Sequence, residues 1–528
     1  MTTAKTLIES GKAVLGIEFG STRIKACLIG EDPNEVLAVG SHEWENQLVD
    51  GLWSYSLEAI WDGLAHCYAD LNKNVQAQHG TQIRELRALG ISAMMHGYLA
   101  FDQQGELLTP FRTWRNTNTG PAAKALSELF GVNIPLRWSI AHLHQVALEG
   151  ARHVPQIDFV TTLAGYVHYK LTGEKVLGVG DASGMFPIDS ATAGYDAKML
   201  DAYQGLPEAQ LLSKPLEQLL PKVLPAGEAA GVLTLEGAKL LDRTGTLQPG
   251  ALMAPPEGDA GTGMVATNAV APGTGNISAG TSIFAMVVMD KPLSKVHHEL
   301  DIVTTPSGDP VAMVHCNNGA SELAAWVNLF KRFSELSGAK LSTDEVYQVL
   351  FGEALNGEKD AGGLIAYNYL AGEPITGLES GRPLFVRTPD SEFSLANTMI
   401  AQLYGVFGTL SIGMEVLRDE QVTLNKMSAH GGIFRTAGVA QDVLAAAIDA
   451  PVTISSSASE GGAWGMALLA AFTAGKGASL SKYLDQEVFA KQQSSTVDPD
   501  PSRVRGFADY LKRYRQGLPV VAQATMSL

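Results

Sequence analysis

Two short stretches of this chain share one design, and their spacing restricts the fold more than any other feature. From Val14 the run VLGIE is a short apolar strand, FGST is a turn, and RIKACLIG is a second, alternating strand. Much later NISA leads into Gly280-Thr281-Ser282 and then IFAMVVM, again strand, glycine and hydroxyl turn, strand. The turns lie about half of the 528-residue chain apart, as in a duplicated fold with one β-hairpin opening each half. Single cores stop growing near about 250–300 residues, so two lobes are expected, residues 1–262 and 263–528. Helical periodicity over 57–71, 121–129, 321–337, 395–417, 439–450 and 461–474, interleaved with strands, predicts an α/β fold of mixed sheets flanked by helices. The run PPEGDAGTG at 255–263 reads as a loop at a functional edge. Residues 492–501 read as a loop before a last amphipathic helix around 507–514.

A tip of glycine and small hydroxyl residues lets backbone N–H and side-chain O–H groups approach a phosphate with no Cβ in the way. Gly20, Ser21 and Thr22 form one such tip, and Gly280, Thr281 and Ser282 the other. Either glycine alone can equally serve a tight turn; the pairing at half-length points to a triphosphate held by both. There is no GxxxxGK[ST], and no GxGxxG that follows a strand and opens a helix, which disfavours a P-loop or Rossmann site.

A net charge of −17 opposes nucleic acid and anionic lipid as partners. The cysteines Cys27, Cys67 and Cys316 have no CxxC spacing and read as reduced thiols of a cytosolic protein. MTTAKTLIESGKAV lacks a basic segment followed by an apolar run, and no uninterrupted apolar stretch nears 18 residues. The expectation is a soluble cytoplasmic protein without a nucleic acid or membrane partner; a homodimer is left open.

With the hairpins in place, further segments follow in a recognisable order: ISAMMHGYLAFDQQGELLTPFRTW, YKLTGEKVLGVGDASGMFPID, YNYLAGEP, AHGGIFRTAGVAQDVLAAAIDAPV and EGGAWGMALLAA. Over nearly its whole length the chain resembles the FGGY carbohydrate kinases, members of the actin, hexokinase and Hsp70 superfamily. The resemblance implies a two-lobed, actin-like (ribonuclease H-like) ATPase fold with duplicated mixed sheets and a central cleft. It implies an N-terminal lobe that binds sugar and carries the base, a C-terminal lobe that binds ATP, and ATP with Mg²⁺ as cofactors. The implied reaction is phosphorylation of a small sugar hydroxyl, with a pentulose such as xylulose as substrate. Ribulose, another ketose, a glycerol-like polyol, or sugar binding without turnover stay open. An Hsp70-like or actin-like ATPase is the competing class, and MHG with DASG favours the kinase.

Phosphoryl transfer to a hydroxyl needs a group to take its proton, and the resemblance gives that role to Asp259. By chemistry alone, an aspartate within EGDAGTG is more often a turn former than a base. Glu18 stands where the family usually has an aspartate that helps hold magnesium through water. Its extra methylene moves the carboxylate about 1.5 Å outward, which water-mediated Mg²⁺ contacts tolerate. The resemblance lines the sugar pocket with Met95, His96, Gly97, Trp114, Asn116 and Asp259, and the nucleotide side with Gly431 and Gly432. Asn116 replaces the aspartate usual in xylulose kinases, and Ile433 a third glycine. The run 461–469 reads as close helix packing with no chemistry assigned.

Overall fold

In the computed structural model, which describes residues 3–436, 438–455, 461–475, 477 and 479–527, the elements that position the candidate site follow one another along the chain. They are β1 (Val14–Phe19), β2 (Arg23–Ile29), β3 (Val36–Glu43), α1 (Leu57–His79), β4 (Ala88–Ala93), α2 (Leu163–Thr172), α3 (Val179–Ala182), β5 (Leu252–Met253), β6 (Glu257–Gly258) and α4 (Asp259–Ala266). After them come β7 (Thr274–Ala279), β8 (Ile283–Val288), α5 (Ser321–Leu336), α6 (Leu395–Asp419), β9 (Lys426–His430), α7 (Val439–Ile448), β10 (Val452–Ser455), α8 (Gly461–Gly475), β11 (Ser494–Val497) and α9 (Pro501–Ser527).

Contacts divide the chain into two compact units. One comprises Met1–Ala271, Asp301–Val311 and Ser457–Gln492; the other comprises Pro272–Leu300, Ala312–Ser456 and Gln493–Leu528. The first unit therefore takes in chain from both halves of the sequence, whereas the second is built wholly from the C-terminal half. The boundary expected between residues 262 and 263 falls inside α4.

The sheet of the first unit runs β5-β4-β1-β2-β3, with β6 also paired to β4. β1 and β2 form the antiparallel hairpin, Phe19 opposite Ile24, while β4 runs parallel to β1 and both β5 and β6 run parallel to β4. The apolar residues of β1 and β4 are buried, as strands covered on both faces require. One cover is α8, whose backbone lies so close to β1 that a Cβ on Gly16 would collide with Ala463 and Ala467.

In the second unit the sheet includes the order β8-β7-β9-β10-β11. Again an antiparallel hairpin, β7 and β8, is flanked by a strand parallel to its first arm, β9. The motif β2-β1-β4 is thus repeated as β8-β7-β9, the duplication that the hairpin spacing predicts. Helix α6 is the one described helix long and apolar enough to cross a membrane, and 83% of its apolar window is buried in protein.

Several expectations shift. PPEGDAGTG is not a loop: it supplies β6 and the first turn of α4. Residues 492–501 contain β11, an edge strand of Ser and Thr paired with β10. Helix α1 continues to His79 and stops at Gly80, which adopts the left-handed conformation at the C-cap. The last helix covers Pro501–Ser527, far more than 507–514.

Candidate active site

In the first unit the parallel strands β1, β4 and β6 all end at the same sheet edge, with Glu18 and Glu257 both in register with Ser92. Carboxyl ends of parallel strands are where α/β sheets place ligands. This edge gathers the hairpin tip after β1, Met95-His96-Gly97 after β4, and Asp259 after β6.

The tip at Gly20–Thr22 is pinned from behind. The Trp44 indole N–H donates to the Gly20 carbonyl (2.7 Å), the Tyr55 hydroxyl to the Ser21 carbonyl (2.6 Å), and the Trp44 backbone N–H to the Thr22 carbonyl (3.1 Å). Trp44 and Tyr55 stack with ring centroids 4.1 Å apart. With these carbonyls tied back and the Gly20 N–H donating to the Arg23 carbonyl (3.0 Å), the N–H groups and hydroxyls of Ser21 and Thr22 are what the tip can offer a phosphate. Neither aromatic residue stands out in the sequence, because each belongs to a separate segment.

Asp259 is the first residue of α4. Its Oδ1 accepts from the backbone N–H groups of Met95 (3.1 Å) and Ala260 (3.0 Å). Burial pushes the pKa of its carboxyl above the ordinary carboxylate range, and these two hydrogen bonds oppose the rise. His96 has φ of 68° and is buried. Its Nδ1 lies 3.3 Å from the Gly184 carbonyl, which can only accept, so Nδ1 carries the proton and Nε2 is left as an acceptor. Burial and the nearby Arg137 keep the imidazole neutral.

Glu18 is half-buried at the end of β1, opposite Lys25 on β2. Burial, with the Asp259 charge adding, pushes its carboxyl up to about 7; Lys25 and the Ala463 N–H at the start of α8 act in the other direction. A Cβ on Gly462 would collide with its Oε1. The run 461–469 packs as expected, and its first turn also receives this carboxylate.

Trp114 is half-buried, with its indole N–H 3.4 Å from Ser21 Oγ. The Asn116 side chain is engaged by backbone: Oδ1 accepts from Trp53 N–H, and the amide protons go to the Trp53 and Thr113 carbonyls. The structure thus joins Asn116 to the strand at Trp53 and holds the turn that carries Trp114.

Behind Asp259 lie two carboxyls to which the sequence analysis gives no role. Glu257 is fully enclosed and accepts from the N–H groups of Gly180 (3.2 Å) and Asp181 (3.0 Å). Asp181 Oδ2 accepts from the Thr162 hydroxyl at 2.6 Å, and its buried Oδ1 has no partner.

In the second unit the tip after β7 is pinned differently. The N–H groups of Gly319 and Ala320 donate to the carbonyls of Thr281 (2.7 Å) and Gly280 (2.8 Å). A Cβ on Gly319 would strike the Gly280 carbonyl. Asn318 accepts from the Leu370 and Ala371 N–H groups, and Asn368 donates to the carbonyls of Asn318 and Gly319. YNYLAGEP is thus the brace of this tip. β9 runs parallel to β7 with His430 beside Ser278, so Gly431 and Gly432 turn beside the hairpin. Gly431 has φ of 126°, and a Cβ on it would meet the Ala279 carbonyl.

Two family profiles match the chain: the N-terminal domain of the FGGY family of carbohydrate kinases over residues 13–246, and its C-terminal domain over residues 275–474. The chain belongs to the FGGY carbohydrate kinases. A xylulose kinase of Klebsiella pneumoniae is 25% identical over 54% of this chain, a match spanning only about half of that relative, 56%. A xylulose kinase of Haemophilus influenzae is 21% identical over 95% of this chain and 98% of its own length. Among solved structures, a "xyloylose kinase" from Brucella ovis aligns with TM-score 0.75 at 21% identity, covering 97% of this chain and all (100%) of the other. A gluconate kinase from Lactobacillus acidophilus aligns with TM-score 0.76 at 18% identity, covering 97% and 99%. These neighbours establish the actin-like ATPase fold of FGGY kinases, with mixed sheets flanked by helices. Among the described residues no group of three or more metal-ligating side chains occurs.

Proposed function

We propose that this FGGY kinase transfers the γ-phosphoryl group of ATP to a hydroxyl of a small keto-sugar, a pentulose such as xylulose, with Asp259 as the base. The observation that carries the reading is the setting of Asp259. Its Oδ1 is fixed by two backbone N–H groups, one from the segment that also presents neutral His96. A carboxylate positioned this way takes the proton as the hydroxyl oxygen attacks phosphorus. His96 Nε2 accepts a hydrogen bond from a second sugar hydroxyl and orients the acceptor. Met95 and Gly97 shape the same wall, and Trp114 offers an apolar face to the carbon chain. The first tip, Gly20–Thr22, contacts phosphate; Gly280–Ser282, Gly431 and Gly432 serve the nucleotide.

Glu18 is the residue suited to hold Mg²⁺ through water. Its carboxyl is enclosed and exposed to the charge of Asp259, a setting that a divalent cation relieves. Bound to ATP, the ion supplies charge neutralisation on the phosphates.

The xylulose kinase relatives favour a pentulose, and the gluconate kinase neighbour makes sugar acids the next class to test. ADP release is to be measured over a panel of ketoses, aldonic acids and polyols, with Asp259→Asn alongside. Strong stimulation by one pentulose, lost in Asp259→Asn, supports the proposal. Sugar-independent hydrolysis, or sugar binding without turnover, overturns it.

A further inference from the structure

Glu257, Asp181 and Asp259 form a chain of three carboxyls inside the first unit, and among the described residues no Lys, Arg or His pairs with any of them. Glu257 and Asp181 are fully buried, whereas Asp259 is only half-buried; isolated buried charges are expensive, and fully buried acids without a cationic partner keep their protons. The fold makes room for this arrangement deliberately. A Cβ on Gly178 or Gly180 would collide with the Glu257 carboxylate, so GLGVGD wraps around it. Glu257 then clasps α3 through the N–H groups of Gly180 and Asp181. The next residue, Gly258, fits against Met95, where a Cβ would collide. Met95 N–H in turn holds Asp259. One continuous set of contacts therefore runs from Asp181 through Glu257, the adjoining Gly258 and Met95 to the base.

Resting on the assignment of Asp259 as base, we propose that Glu257 and Asp181 are positioning residues: a buried pair that retains its protons while Asp259 is ionised, so that the turn around the base carries a single negative charge. Other groups facing the pair are compatible with this. Asp181 meets the Thr162 hydroxyl at the N-cap of α2 and feels the buried hydroxyl of Tyr195 and the charge of Asp259 on α4; neutral His96 lies beside Gly184, just past Asp181. Burial pushes Asp181 up to about 7, with the Asp259 charge adding, while the Thr162 hydrogen bond opposes. Burial pushes Glu257 up to about 8, with Asp181 adding. As pH rises through this range, a second buried charge appears beside the base. It loosens the turn and opposes the approach of a polyanionic nucleotide.

The test uses the full chain. In the pH profile of kcat/KM the wild type should lose activity on the alkaline side through ionisations between about pH 7 and 8, and Asp181→Asn should lose the Asp181 step and show the remaining alkaline limb, that of Glu257, moved to lower pH, while keeping the acid limb of Asp259. Glu257→Gln turns an amide toward backbone donors and can impair folding, so Asp181→Asn carries the test. A readout independent of turnover is carbon-13 NMR titration of side-chain carboxyls. Glu257 and Asp181 should both hold their protons well above the carboxylate range, alongside Glu18, and Asp181→Asn should remove one of these titrations and move the Glu257 midpoint downward. An unchanged alkaline limb in Asp181→Asn, or carboxyls that all titrate in the ordinary range, overturns the proposal. Wild-type turnover in Asp259→Asn overturns the base assignment instead, and the NMR result stands apart from that outcome.

Discussion

The two hairpin tips do the same thing by different means. At Gly20–Thr22 the carbonyls of Gly20 and Ser21 are held by the side chains of a stacked Trp44–Tyr55 pair, and only that of Thr22 by a backbone N–H. At Gly280–Ser282 they are held by backbone, the N–H groups of Gly319 and Ala320, with Asn318 and Asn368 bracing that turn. A tip pinned by side chains can lose one hydrogen bond and keep its path. A tip pinned by backbone at glycine contact distance has no such slack, because any added atom displaces the carbonyl itself. Duplication repeats the hairpin and its turn, while the means of support diverge.

The largest effect belongs to the residue that has no equivalent among the tips. Asp259→Asn should lower kcat by about 10²–10⁴. Nucleotide affinity and thermal stability should be little changed, because an amide oxygen can still accept from Met95 and Ala260. Next comes Gly431→Ala, which combines positive φ with a collision against the Ala279 carbonyl. Urea unfolding should show a loss of about 1–3 kcal/mol. Gly319→Ala should cost somewhat less in stability, yet weaken ATP binding as the Gly280 carbonyl moves; calorimetric titration with ATP checks this. Tyr55→Phe removes a single hydrogen bond worth about 0.5–1.5 kcal/mol, so KM for ATP should rise at most about tenfold. Should Tyr55→Phe prove more damaging to ATP binding than Gly319→Ala, the contrast between yielding and unyielding supports is wrong.

The hairpins were legible in the sequence because turn chemistry is local: glycine and hydroxyls between two apolar runs leave few alternatives. Asp259 was legible as a candidate, but its setting was not. β6 has two residues and exists because Glu257 and Gly258 find partners on β4, some 160 positions earlier, so PPEGDAGTG looks like a loop until the sheet is present. β11 is hidden for the same reason: its serines and threonine show no apolar alternation, and the open edge of β10 makes it a strand. Trp44 and Tyr55 resemble ordinary core aromatics, and nothing in their neighbourhood signals that they reach a carbonyl. Asn116 reads as a sugar contact by resemblance, whereas its amide is tied to Trp53 and Thr113. A buried acid such as Glu257 is equally silent, since sequence does not disclose which carboxyls lose their water.

Helix α8 packs on β1 through the notch at Gly16, although nearly the entire polypeptide separates the two. On the ribosome, β1 and β4 emerge early and must wait with one apolar face uncovered until residues 461–475 are made. Domains that close early in synthesis escape that exposure; this one does not. Fragments ending before residue 461 should therefore be captured by chaperones or aggregate, however complete the N-terminal portion looks on paper.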